Sequence, residues 1–184
     1  MNNHTKNNIY LTFDDGPTPE VTPWVLSLLN QYHLHATFFC TGTHVAQYTD
    51  LFRQILFNGH AVGNHGFEHL NGWKTPLHKY IQNAKQGEKI IPTSLFRPPY
   101  GKITPLQWLY LHKKVNLVFW NYLSKDYLPL EKNSLFLENL KKHTVNHSVI
   151  VFHDSVKAFP VLQKFLEEYF IWLQATNFES HIIT

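Results

Sequence analysis

At 184 residues, the chain is long enough to bury roughly two thirds of its unfolded surface in one core and too short for several domains. Its 43% hydrophobic and 16% charged residues, with 10 Pro and 8 Gly spread along the length, exclude the disordered and fibrous classes. The formal charge of +3, from 16 basic and 13 acidic residues, comes without any run of like charge, so neither a nucleic-acid nor an anionic-membrane patch is expected.

Residues 1–8 are polar and lack the apolar stretch of a secretory signal, and no apolar run approaches the ~20 residues that span a bilayer. A protein with no transmembrane segment is expected, cytoplasmic unless export information is missing from the sequence, with one domain over 9–184 and a monomeric state. Short apolar, β-branched or aromatic runs then alternate with longer helical patterns, the signature of repeated βα units around a parallel sheet. Strands are predicted over 9–13, 36–40, 61–64, 95–97, 116–120, 148–153 and 181–183. Between them, Thr22-Pro23, Thr75-Pro76 and Thr104-Pro105 predict helix starts, because a capping threonine accepts a first-turn amide and proline there loses no bond. Gly59 predicts a helix stop. The single cysteine, Cys40, lies in an apolar strand and reads as a buried, inert thiol. The expected architecture is α/β, either barrel-like or doubly wound.

Residues of catalytic type fall just after the predicted strands: Asp14 and Asp15, His65 and His69, Arg97 to Gly101, Asp126, and His153. In barrels and open α/β sheets the loops after the strands share one rim, so five separate segments converge there. A His-x-x-x-His spacing alone is poor evidence in a chain with 13 histidines. His143 and His147 have the same spacing but precede a strand and read as surface residues. Asp15 supplies His65 and His69 with the carboxylate of a two-histidine, one-carboxylate metal site, which leaves positions open for water and substrate. The neighbouring Asp14 can take a proton from water, although a capping turn also uses adjacent aspartates. In Arg97-Pro98-Pro99-Tyr100-Gly101 the prolines stiffen a turn, presenting an arginine able to hold Asp14 ionised and a fixed Tyr100 amide able to face an oxyanion; an ordinary strand-ending turn would use the same residues.

The ordered motifs Thr12-Phe13-Asp14-Asp15-Gly16-Pro17, Asn64-His65-Gly66-Phe67-Glu68-His69, Arg97-Pro98-Pro99-Tyr100-Gly101 and Val151-Phe152-His153 resemble those of the polysaccharide deacetylases, the NodB-homology domains of carbohydrate esterase family 4. The resemblance runs from Thr12 to His153. It implies a distorted (β/α)7 barrel, a divalent metal, usually zinc with cobalt, manganese or nickel as alternatives, and hydrolysis of the acetamide of N-acetylglucosamine units in a chitin-like or peptidoglycan-like glycan. It further implies that Asp14 is the general base, that Asp15, His65 and His69 bind the metal, and that Arg97 positions Asp14. The Tyr100 amide would hold the oxyanion, and His153 would be the general acid, paired with Asp126. Pro99, Tyr100, Trp73, Tyr122 and Tyr127 are the candidates for contacting the sugar, unless they serve packing. The chain departs from the family pattern at Gly66, where a serine or threonine hydroxyl usually helps order the metal site, and at Leu70, Leu123, Tyr127 and Val151. Two other functions fit the same motifs: a non-catalytic sugar-binding module that keeps the metal, and a hydrolase of a small non-carbohydrate amide.

Overall fold

In the computed structural model, which describes residues 6–184, the sheet begins with β1 (Asn7–Asp14), whose last four residues are all buried. β1 lies at the middle of the sheet. On one side it pairs with β2 (Ala36–Cys40), then β3 (Ala61–Asn64), β4 (Leu95–Phe96) and β5 (Asn116–Leu117); on the other it pairs with β7 (Val149–His153) and then β6 (Tyr122–Leu123). Every pairing is parallel. No pairing joins β5 to β6 among the described residues, so the curled sheet stays open there and the barrel is a distorted one. A short β8 (Phe178–Ser180) runs parallel to the first residues of β1, Asn7 to Ile9.

Helices α1 (Val21–Gln31), α2 (Gly42–Gln47), α3 (Thr49–Phe57), α4 (Leu77–Ile90), α5 (Pro105–Leu111), α6 (Phe136–His143) and α7 (Phe159–Ala175) fill the crossovers. A strand covered on both faces must be apolar throughout, and β2, Ala-Thr-Phe-Phe-Cys, is buried at all five positions. Phe13, Phe38 and Phe152, from β1, β2 and β7, stack with ring centroids 5.1 and 5.4 Å apart and hold the central strands together. Cys40 is buried in this core, where burial pushes its thiol pKa up, as its apolar setting predicted.

The structure corrects several sequence expectations. The polar stretch expected through residue 8 is already strand at Asn7; residues 1–5 lie outside the described residues. The expected last strand moves from 181–183 to Phe178–Ser180, because pairing with β1 and packing of Phe178 on Trp172 outweigh an equally alternating pattern three residues on. The 116–120 strand shortens to two residues, and β6 has no counterpart among the expected strands, since a two-residue run carries no periodicity. Only Thr104 of the three expected caps acts as one, in a capping box with Gln107. Thr75 instead donates to Asn71 O, and Thr22 sits inside α1 and binds Asp154. Gly59 stops α3 with φ +78°, as predicted.

Candidate active site

Because the strands are parallel, their C-terminal ends share one rim, and the register puts Asp14 of β1 directly beside His153 of β7. The chain turns sharply at Asp15, with φ +84°. Long-range bonds hold that turn. The Asp15 amide donates to Phe39 O (3.2 Å), the Thr41 amide donates to Gly16 O (3.0 Å), and the Thr41 hydroxyl donates to Asp15 O (3.1 Å). The Gly16 amide donates to Asp154 Oδ1 (2.9 Å), while the Thr22 hydroxyl donates to Asp154 Oδ2 (2.6 Å). A side chain on Gly16 would collide with the Asp154 carboxyl. Burial pushes Asp154 up to about 8, against the lowering pull of Thr22 and Gly16.

The donor atoms of Asp15, His65 and His69 all lie within 4.8 Å of one another. His69 Nε2 is 3.2 Å, and His65 Nε2 3.8 Å, from Asp15 Oδ1. His65 Nδ1 is 2.8 Å from the Arg97 carbonyl, which can only accept; Nδ1 therefore carries the proton and Nε2 keeps its lone pair toward the cluster. Burial lowers the pKa of His69 to about 4, so its imidazole is neutral at ordinary pH, the form that coordinates. Two imidazoles and one carboxylate converging on one point fit a divalent cation such as zinc and leave further coordination positions open.

The loop between the two histidines is ordered from within the fold. Asn64 Oδ1 accepts the Gly66 amide (2.8 Å), and the buried Asn83 of α4 accepts the Phe67 amide (3.0 Å). Gly66 has φ +78°, and a Cβ there would lie 2.8 Å from Asn83 Oδ1. The departure at Gly66 thus has a local cause: the amide group of Asn83 occupies the space a hydroxyl-bearing side chain would enter.

Asp14 is 4% exposed. Arg97, fully buried, donates to its Oδ1 at 2.6 Å and to Thr12 Oγ1 at 2.8 Å, and its guanidinium lies 3.9 Å above the Phe39 ring. One Asp14 oxygen is thereby held, while Oδ2 lies 3.9 Å from His65 Nε2 at the cluster. Opposite, the His153 ring bonds Asp126 Oδ1 through Nδ1 (2.7 Å), and its amide donates to Asp126 Oδ2 (2.7 Å). Burial alone would lower His153, but the Asp126 charge and hydrogen bond, with Asp14 and Asp15 beyond, raise it to about 9. At neutral pH it is an acid with a proton to give.

Asp14, Asp15, His65, His69 and His153 line one cleft of about 570 Å³, with Arg97 and Asp126 buried behind it. Tyr100 and Tyr127 reach it, the Tyr100 ring 4.5 Å from His69 and the Tyr127 ring edge-on to His153 at 5.1 Å. Tyr100 has φ +60°, and the turn is closed by the amides of Gly101 and Lys102, which leaves the Tyr100 amide out of that bonding. Trp73, Tyr122 and Pro99 do not line this cleft. Trp73 stands exposed beside Lys102, Tyr122 stacks on His143 in a neighbouring hollow, and Pro99 is buried behind the turn. His143 and His147 are exposed and apart from the cluster. Sequence reasoning did not single out Asp154, Asn83, Trp120 or Lys157. A signal existed only for Asp154, an acid following a strand-end histidine; Asn83 sits mid-helix, where no local pattern marks it.

Residues 1–118 match a family model described as polysaccharide deacetylase. A peptidoglycan-N-acetylglucosamine deacetylase of Bacillus cereus is 29% identical over 160 residues, 83% of this chain and 58% of that protein. A chitooligosaccharide deacetylase of Azorhizobium caulinodans is 32% identical over 158 residues, 81% of this chain and 74% of that protein. The chain therefore spans little more than half the length of the first of these relatives. The structure of the peptidoglycan deacetylase PdaC from Bacillus subtilis superposes with a TM-score of 0.85 over 97% of this chain and 88% of that one, at 24% identity, a likeness of fold.

Proposed function

The chain belongs to the polysaccharide deacetylase family, and from that premise we propose that it hydrolyses the acetamide of N-acetylglucosamine-type units in a glycan, releasing acetate and a free amine. Asp15, His65 and His69 would hold a divalent cation, zinc by the chemistry of the donor set. Such an ion, when bound, polarises a carbonyl and lowers the pKa of water. Asp14 takes the proton from the attacking water through Oδ2, while Arg97 holds the other carboxylate oxygen and aims the group. The Tyr100 amide donates to the developing oxyanion. Protonated His153, fixed by Asp126, gives its proton to the departing nitrogen, which leaves poorly as an anion. Tyr100 and Tyr127 offer their faces to the sugar.

The observation that carries this reading is the opposition of a carboxylate held by Arg97 and a histidine held by Asp126 across one three-donor cluster, the placing of base and acid that amide hydrolysis needs. It favours an enzyme over a binding module, which requires neither. The test is acetate release from N-acetylglucosamine oligomers with added zinc against an EDTA control. Asp14→Ala should lower kcat by roughly a thousandfold and leave zinc bound. Zinc binding without acetate release from any N-acetylated glycan would overturn the proposal, and cleavage confined to small amides would move it to the other hydrolase class.

A further inference from the structure

Between residues 69 and 125 the sole acid is Glu88, against eight lysines and Arg97, whereas the rest of the chain holds twelve acids and seven basic residues. No short run betrays this, because the lysines are spaced along helices, yet the fold gathers part of the segment onto α4 and α5, which pack together. Arg97 is buried against Asp14, and the lysines stay outside. Lys85 from α4 and Lys114 after α5 converge on Tyr110, their ammonium groups 5.6 and 4.8 Å from its ring. Neither makes an ion pair with a carboxylate among the described residues.

Large apolar side chains lie among these charges. Leu106 and Leu109, one helical turn apart on α5, are 64% and 51% exposed. Leu77, at the start of α4, lines a shallow hollow of about 360 Å³ with Lys85 and Tyr110. Beside the N-terminus of α5, Trp73 is exposed, with Lys102 Nζ 3.6 Å above its ring and its indole N–H on Ile103 O. The patch adjoins the active cleft, since Trp73 follows shortly after His69 and Lys102 directly follows the Tyr100-Gly101 turn.

We propose that this α4–α5 face docks on the surface of an anionic lipid bilayer, lysines at the headgroups and Trp73, Leu106 and Leu109 between them, with the cleft mouth beside the membrane. Charge complementarity alone would admit any polyanion. A soluble polyanion, however, leaves the leucines and the indole in water, whereas the membrane interface takes cationic, aromatic and aliphatic groups together. The face lies on the surface of the domain, and no helix among the described residues is long and apolar enough to cross a membrane.

The proposal is tested by cosedimentation of the full chain with phosphatidylcholine vesicles containing roughly a third phosphatidylglycerol, against pure phosphatidylcholine, across a salt series. Binding should require the anionic lipid, weaken with salt, and fall about tenfold or more in the double variant Lys85→Glu with Lys114→Glu, two lysines contributing additively at the surface. Leu106→Ser with Leu109→Ser should weaken binding even at low salt. Acetate release from a soluble oligomer and the melting temperature serve as fold controls and should be unchanged in both variants. Equal binding by wild type and charge-reversed variants would overturn the proposal, as would binding to soluble polyphosphate in preference to vesicles, or a charge-dependent self-association with no vesicle binding. None of the binding outcomes depends on the deacetylase reading, and the melting temperature alone controls for folding should that reading fail.

Discussion

His153 and Asp126 form the residue pair on which pH dependence rests. His153 is raised above the ordinary histidine value of 6.5 to about 9. Its protonation therefore contributes stability that is fully present below pH 6.5 and is lost as pH rises through about 9. In the proposed mechanism the same proton serves the leaving nitrogen, so kcat/KM should fall on the alkaline side with an apparent pKa near 9. Asp126→Asn removes the charge that raises His153 and should shift that limb about one to three units toward acid. An unmoved limb would reject the assignment of His153 as the acid. Asn83 and Gly66 make a second residue-scale pair. Gly66→Ser introduces a Cβ against Asn83 Oδ1 at a positive φ, and Asn83→Ala removes the acceptor of the Phe67 amide. Each should weaken zinc binding, measured by chelator competition, by roughly tenfold or more, the usual scale for groups supporting metal ligands. The double variant should be less impaired than the product of the two, since alanine removes the oxygen that the serine would meet; strict additivity would mean that the two positions act independently.

At the scale of elements, α5 ties the turn that follows His69 to the rest of the sheet. The Gln107 side chain accepts the Thr104 amide (2.9 Å) and donates to Gly72 O (2.9 Å) and Thr75 O (3.0 Å), so one buried amide group serves both the capping box and the 72–75 turn. Thr104→Ala loses a cap and should cost about 1 kcal/mol. Gln107→Ala strips partners from three backbone groups and should cost roughly 2–4 kcal/mol. In a chain of this size these losses lower the melting temperature by about 2–4 °C per kcal/mol. If the two variants melt together, Gln107 acts only through the cap. The strands were legible where a run carried its own pattern: β2 occupies the expected position because a run buried on both faces is largely apolar. The two-residue β5 and β6 were not, since their pairing is set by neighbours distant in sequence.

For the whole molecule, a cation held by Asp15, directly after β1, and two histidines after β3 would link segments from different parts of the sheet. Only the folded chain assembles that site. Zinc at about a hundred times its Kd should therefore stabilise the fold by about 2.7 kcal/mol and raise the melting temperature by about 5–10 °C. EDTA should reverse the rise, and His69→Ala should abolish most of it. A rise that survives His69→Ala would place the ion elsewhere.

The residue sequence alone determined the alternation of strands and helices and the placing of Asp14, Asp15, His65, His69, Arg97 and His153 at or just after strand ends. Both depend on local periodicity, and parallel strands then oblige those ends to share a rim. Tertiary structure decided what supports the rim: the Arg97 carbonyl that sets the His65 tautomer, Asp154 beneath Gly16, Asn83 beneath the histidine loop, and the choice of Tyr100 and Tyr127 over Trp73 and Tyr122 in the cleft. These contacts join residues remote in sequence, such as Gly16 and Asp154, whose separation of 138 positions no local pattern encodes. The basic face of α4 and α5 arises in the same way, since lysines spaced by helical turns become neighbours only when the two helices pack.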